Sequence, residues 1–72
     1  MITIDDFMNV CALFRDEMGE LCTPKATIFQ KMHANFDCSD EEIDRVCVKA
    51  IRRGLIVYFL NYKEPYLCDP ME

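Results

Sequence analysis

The segment Ser39–Gly54, SDEEIDRVCVKAIRRG, contains its own start signal, buried stripe and stop signal, and the rest of a 72-residue chain has to pack around it. Ser39 and Glu42 have the spacing of a capping box, in which each side chain satisfies the other's backbone amide. Asp40, Glu41 and Glu42 place negative charge at the positive end of the helix dipole. Cys38 and Ile43 fall where a hydrophobic staple closes. Ile43, Val46, Cys47, Ala50 and Ile51 recur with the spacing of one buried helical face. Glu41 and Arg45 stand four apart in the favourable order. Arg52 and Arg53 suit the negative end of the dipole, and Gly54 suits a left-handed cap. The spacing therefore predicts a helix from Ser39 to Gly54.

Preceding residues read as two supporting helices. Residues 3–18 form the first expected helix, with Thr3 as N-cap, Asp5 and Asp6 in the first turn and Gly19 as terminator. Its stripe is Phe7, Val10, Cys11, Phe14 and Met18, and Ile2 with Phe7 forms a staple. Asp16, Glu17 and Glu20 crowd the end of this helix, where the dipole disfavours acids. Thr23-Pro24 reads as an N-cap followed by proline at the first helical position, starting a second helix that ends near Ala34 or Asn35. Ile28, Phe29 and Met32 point inward, while Lys25, Lys31 and His33 face out.

Beyond Gly54 the pattern changes. Residues 55–60, LIVYFL, are short, β-branched and aromatic, and read as a strand. Residues 61–65 read as a turn, 66–68 as a short return strand and 69–72 as a tail. One domain over residues 1–72 is expected, with one small core. No apolar run approaches the ~20 residues of a membrane span. The opening MITIDD has no basic region or long apolar segment, so no signal peptide is expected and the expected location is cytoplasmic.

The five cysteines, Cys11, Cys22, Cys38, Cys47 and Cys68, are odd in number and include no CxxC. That disfavours a secreted disulfide framework. Cys11 and Cys47 fall on buried stripes, where cysteine serves as a small hydrophobe. A zinc site from His33, Cys38 and another cysteine lacks the usual close ligand pairs. No metal or other cofactor is expected. Cys22 and Cys68 carry no assigned role.

Charge is unevenly spread. The net charge is −5. Residues 1–22 carry Asp5, Asp6, Asp16, Glu17 and Glu20 against Arg15 alone, whereas four acids and four bases balance within residues 39–54.

The order of these elements resembles a minimal winged helix-turn-helix domain. The residues that carry the likeness are Thr23-Pro24-Lys25-Ala26-Thr27-Ile28, then Ser39-Asp-Glu-Glu-Ile43, then Ala50-Ile-Arg-Arg-Gly-Leu-Ile56. The resemblance spans about Thr3 to Cys68. It implies an α+β, mostly helical fold: a three-helix helix-turn-helix core followed by a short two-stranded β-hairpin wing. It also implies that the Ser39 helix is the recognition helix, whose leading residues lie nearest the bases in members that bind DNA.

Two functions follow as expectations, neither of them catalytic. One histidine, two glycines and no phosphate-binding loop give little support for an enzyme. The first expectation is a protein-interaction module. Its contact residues would be Asp40, Glu41, Asp44, Arg45, Lys49, Arg52, Tyr62 and Tyr66, facing a partner with a basic surface. Nucleic-acid-handling machinery blocked at its basic groove is one such partner, and phage-encoded anti-defence proteins of the anti-CRISPR type are one setting. The second is a DNA-binding transcriptional regulator using Lys25, Lys31, Arg45, Lys49, Arg52, Arg53 and Lys63, with the first helix available as a homodimer contact. The acidic front of the recognition helix favours the first, since duplex DNA presents a phosphate about every 1.7 Å of its axis.

Overall fold

The computed structural model describes residues 1–70. Thr3 opens the first helix, α1 (Ile4–Ala12), with a reciprocal cap in which Asp6 stands at the position glutamate usually holds. Phe7, Val10 and Cys11 are its buried face.

This helix is shorter than residues 3–18. After Ala12 the chain tightens into i→i+3 bonds at Leu13 and Phe14, then leaves the helical path. Asp16 is the reason. Its carboxylate accepts from the amides of Met18 and Glu20 at 2.8 and 3.0 Å, and its own amide donates to the Glu20 carbonyl. A side chain that satisfies local amides in this way competes with helix continuation. The acids that would have crowded the helix end therefore lie outside it. Met18, placed on the buried stripe by its spacing, is 83% exposed.

The connector after Glu20 contains a strand that the sequence did not announce, β1 (Cys22–Pro24). Thr23 is a buried strand residue, not a helix cap, and the N-cap of the next helix is Pro24, without a side-chain cap bond. That helix is α2 (Lys25–Asn35), with Ile28 and Met32 buried and Phe29 packed against the core from its rim.

Next comes α3 (Asp40–Arg52), capped by the Ser39–Glu42 box. Ile43, Val46, Cys47 and Ala50 are its buried face. At its end the amide of Gly54 donates to the Ile51 carbonyl and that of Leu55 to the Ala50 carbonyl. This is a Schellman closure, with Gly54 at φ +74°.

Two strands follow, β2 (Val57–Asn61) and β3 (Glu64–Cys68). They are joined through Tyr62 and Lys63, both at positive φ (50° and 69°). That is a two-residue type I′ connection, tighter than the expected five-residue turn. The sheet is antiparallel with order β1-β3-β2, so three strands stand where two were expected.

Strand register assigns the sheet's faces, because residues directly opposite share a face. Thr23, Leu67 and Tyr58 form one row on the core side. On the outer side Cys22, Cys68 and Val57 form one row, and Pro24, Tyr66 and Phe59 the next. One apolar cluster joins Phe7, Leu21, Ile28, Met32, Ile43, Ile56 and Leu67, all essentially inaccessible to solvent. Burying each such side chain is worth about 1.5–3 kcal/mol. Among the described residues, no helix is long and apolar enough to cross a membrane.

Candidate functional site

The front of α3 is held by two contacts from α2. Asp40, in its first turn, meets His33 Nε2 of α2 at 2.6 Å. One turn later Asp44 meets Lys25 Nζ at 3.3 Å. Lys25 also lies over the rings of Phe29 and Tyr58, at 5.1 and 5.9 Å from their centroids. The cation is thus shared by a carboxylate and two aromatic faces. Lys25, Phe29, His33, Asp40 and Pro65 line an open groove of about 420 Å³ between α2, the front of α3 and the hairpin.

The other flank of α3 faces the start of α1. Lys49 and Arg53 line a groove there with Thr3, Asp5 and Val46. Asp44 and Lys49 therefore lie on opposite sides of the helix. Glu41, Arg45, Val48 and Arg52 are exposed on the crest between them, following the helix's 100° per residue.

This arrangement separates the seven cations proposed for DNA. Lys25 is taken up by Asp44 and the aromatic rings. Arg45 and Arg52 lie on the crest of α3, while Lys49 and Arg53 line the groove that α3 shares with Asp5 at the start of α1. Lys31 is exposed on α2, and Lys63 sits at the hairpin tip beside Glu64. They do not form one ridge clear of carboxylates.

The residues proposed for a protein contact are also divided. Asp40 is engaged by His33 in a hydrogen-bond contact and Asp44 by Lys25 in an ion pair, while Glu41 forms no such pair among the described residues. Tyr62, at the hairpin tip, is 95% exposed. Tyr66 is half-buried on the outer face of the sheet, opposite Phe59. Tyr58 lies on the core side, half-exposed at the sheet edge.

Phe59 and Leu60 were not among the sequence candidates, yet both are more than half exposed. β2 is an edge strand, so one row of its backbone groups is unpaired within the sheet. The uniformly apolar run LIVYFL gave no alternation to show which members face out.

Arg15 and Asp69 were likewise missed as a pair. Asp69 lies in the segment read as a tail, of which residues 71–72 are outside the described residues. It accepts from the Leu21 amide at 3.0 Å and from Arg15 Nη1 at 2.7–2.8 Å. Partial burial opposes its charge, but the Leu21 amide and then Arg15 outweigh that and hold its carboxyl below the usual range.

The cysteines divide by environment. Burial, reinforced by nearby Cys47, pushes the Cys11 thiol up to about 12, and burial pushes Cys47 up to about 11. Both are core residues. Cys38 and His33 border one shallow groove, but no cluster of three potential metal ligands gathers among the described residues.

Comparison with family models, with curated proteins and with solved structures gives no match to this chain.

Proposed function

We propose that this chain is a small winged-helix-type module that binds a protein partner through the crest of α3 and the β2–β3 hairpin. In this reading α2 and α3 are the helix-turn-helix pair, and the hairpin, joined at its rear by β1, is the wing. The observation that carries it is the fate of the cations. Lys25 is occupied by Asp44, Lys49 and Arg53 share a groove with Asp5, and the leading turn of α3 is acidic. A surface built for duplex phosphates needs a continuous positive stripe, and these residues are interrupted by carboxylates.

The hairpin adds what a protein contact uses. Tyr62 projects from its tip, while Phe59 and Leu60 are exposed along an open strand edge. Aromatic anchors of this kind supply much of the energy of protein interfaces. Acidic residues at the front of α3 would speed encounter with a basic partner. Nucleic-acid-handling proteins carry such basic surfaces, and an inhibitor that occupies one is the setting this charge pattern fits.

The alternative is a DNA-binding regulator, favoured by Arg45, Lys49 and Arg52 along α3 and Arg53 at its C-cap. Anisotropy of a labelled random duplex at low ionic strength separates the two. The interaction reading expects no salt-dependent binding; a logarithmic salt slope corresponding to several neutralised phosphates establishes the regulator. The matching positive test uses Glu41→Lys, a crest substitution outside the ion pairs. It should abolish retention of the native partner by the tagged protein and leave the far-UV spectrum and unfolding midpoint unchanged. Undiminished retention would show that Glu41 serves only the helix start.

A further inference from the structure

Cys22 and Cys68 form a cross-strand pair whose geometry no structural role absorbs. They are direct partners in the β1–β3 register. The Asp69 amide donates to the Leu21 carbonyl at 3.2 Å, one residue beyond Cys68 and one before Cys22. In an antiparallel ladder that bond identifies the pair as non-hydrogen-bonded, the class with the closer backbones, about 4.5 Å between Cα atoms. That separation lies within the range of disulfides, about 4.4–6.8 Å. The two sulfurs already touch, with Cys68 donating its S–H to Cys22 Sγ across 3.6 Å. Side-chain rotation alone closes the remaining gap. Cys22 is exposed on the outer face of the sheet.

We propose that Cys22 and Cys68 are a reversible dithiol–disulfide couple, a modification site oxidised by hydroperoxides. The Cys22 thiolate attacks one oxygen of hydrogen peroxide and the O–O bond breaks. The departing oxygen takes a proton and leaves as water, giving a sulfenic acid on Cys22. Cys68 then attacks that sulfur, the S–O bond breaks, and the departing hydroxide leaves with the Cys68 proton as a second water. Two thiols lose two electrons in all, and one peroxide becomes two waters. The Cys68 thiol, pushed up to about 11 by burial and then by its hydrogen bond to Cys22, holds its proton until this second step. Cys22 is the more exposed sulfur and accepts the Cys68 S–H, so Cys22 is the attacking sulfur and Cys68 the resolving one.

The remaining cysteines are poorly placed for this chemistry. Cys11 and Cys47 are buried in the core, and Cys38 sits between α2 and α3, away from the sheet. The link would join residues 46 apart in sequence and fasten the three-residue β1 to β3, the central strand of the sheet. It would also stiffen the outer face that carries Tyr66 and Phe59. Exposed cross-strand disulfides are the readily reduced, regulatory kind.

Treatment of the reduced, folded protein with stoichiometric hydrogen peroxide tests this. The expected result is a monomer lighter by two hydrogens, a peptide map joining Cys22 to Cys68, and full reversal by dithiothreitol. The melting temperature should rise by about 10 °C, since the crosslink restricts the unfolded chain. Cys22→Ser and Cys68→Ser should each abolish the mass change and the rise, while Cys38→Ser should abolish neither. The proposal is overturned if the mapped bond involves Cys38, Cys11 or Cys47. It is equally overturned if oxidation yields intermolecular dimers, or sulfinic acid on Cys22 with Cys68 still free.

Discussion

Arg15 Nη1 meets both carboxylate oxygens of Asp69, at 2.8 and 2.7 Å, and so ties the loop after α1 to the segment that follows β3. The same arginine nitrogen donates to the Gly19 carbonyl at 2.8 Å, and Asp69 also receives the Leu21 amide. Two irregular stretches far apart in sequence thereby order one another. Asp69→Ala removes both acceptors and should lower unfolding free energy by about 1–2 kcal/mol in urea titrations. Arg15→Ala should cost less, because the Asp69–Leu21 bond survives. The folded carboxyl of Asp69 lies below its ordinary value of 3.8. Its charged form therefore stabilises the fold fully above that value, and the contribution is lost as pH falls through the lower folded value. Wild type and Asp69→Asn should differ at neutral pH and converge in strong acid. A difference that persists in acid would show that the carboxylate charge is not the source.

Neither residue of the hairpin turn is a glycine, although both stand in the left-handed region. Such residues cost about 1–2 kcal/mol each when they carry a Cβ. Lys63→Gly should relieve one of these costs and raise stability by up to about 1 kcal/mol, a gain reduced by the freer unfolded chain. Thermal unfolding monitored by circular dichroism would register it as a rise of several degrees. An unchanged or lower midpoint would mean that the Lys63 side chain contributes contacts worth as much as the strain.

The signals written most clearly in the chain were local ones. Ser39, Glu42 and Gly54 delimit α3 because each acts on backbone groups within a few residues of itself. Thr3 does the same for α1. What could not be read depended on distant partners. Thr23-Pro24 resembles a helix start, but Thr23 pairs with Leu67, some forty residues later in the chain. Asp16 overrides the periodicity of the first helix through a loop whose amides it satisfies itself. The charges of the candidate site were legible as a list but not as a surface. That Lys25 would be claimed by Asp44, and Lys49 placed in one groove with Asp5, follows only from the packing of α1 and α2 on α3.

Gly54 closes α3 with nothing within 4 Å of the position a Cβ would occupy. A substitution there therefore meets no clash and reports backbone conformation alone. Gly54→Ala should destabilise by about 1 kcal/mol through its positive φ, and Gly54→Asn by less, since asparagine tolerates that region better. Equal losses for the two variants in chemical denaturation would mean that the helix end rearranges instead of retaining the Schellman bonds.

The Lys25–Asp44 pair gives a test of whether the cations of this face are available to a ligand. Lys25 keeps only about a quarter of its side chain exposed, while Asp44 is more open, at 57%. Solvent screening on the Asp44 side limits the pair to below about 1 kcal/mol. A double-mutant cycle with Lys25→Met and Asp44→Asn should return a coupling of about 0.5 kcal/mol, decreasing as salt rises. Lys25→Met alone should retain most of the stability, because its methylenes still cover Phe29 and Tyr58. If Lys25 is committed to Asp44, Asp44→Asn releases a cation at the front of α3, and weak, salt-sensitive duplex binding should appear in that variant and not in wild type. No coupling in the cycle, together with duplex binding by wild type that Lys25→Met weakens, would show instead that Lys25 is free for phosphate.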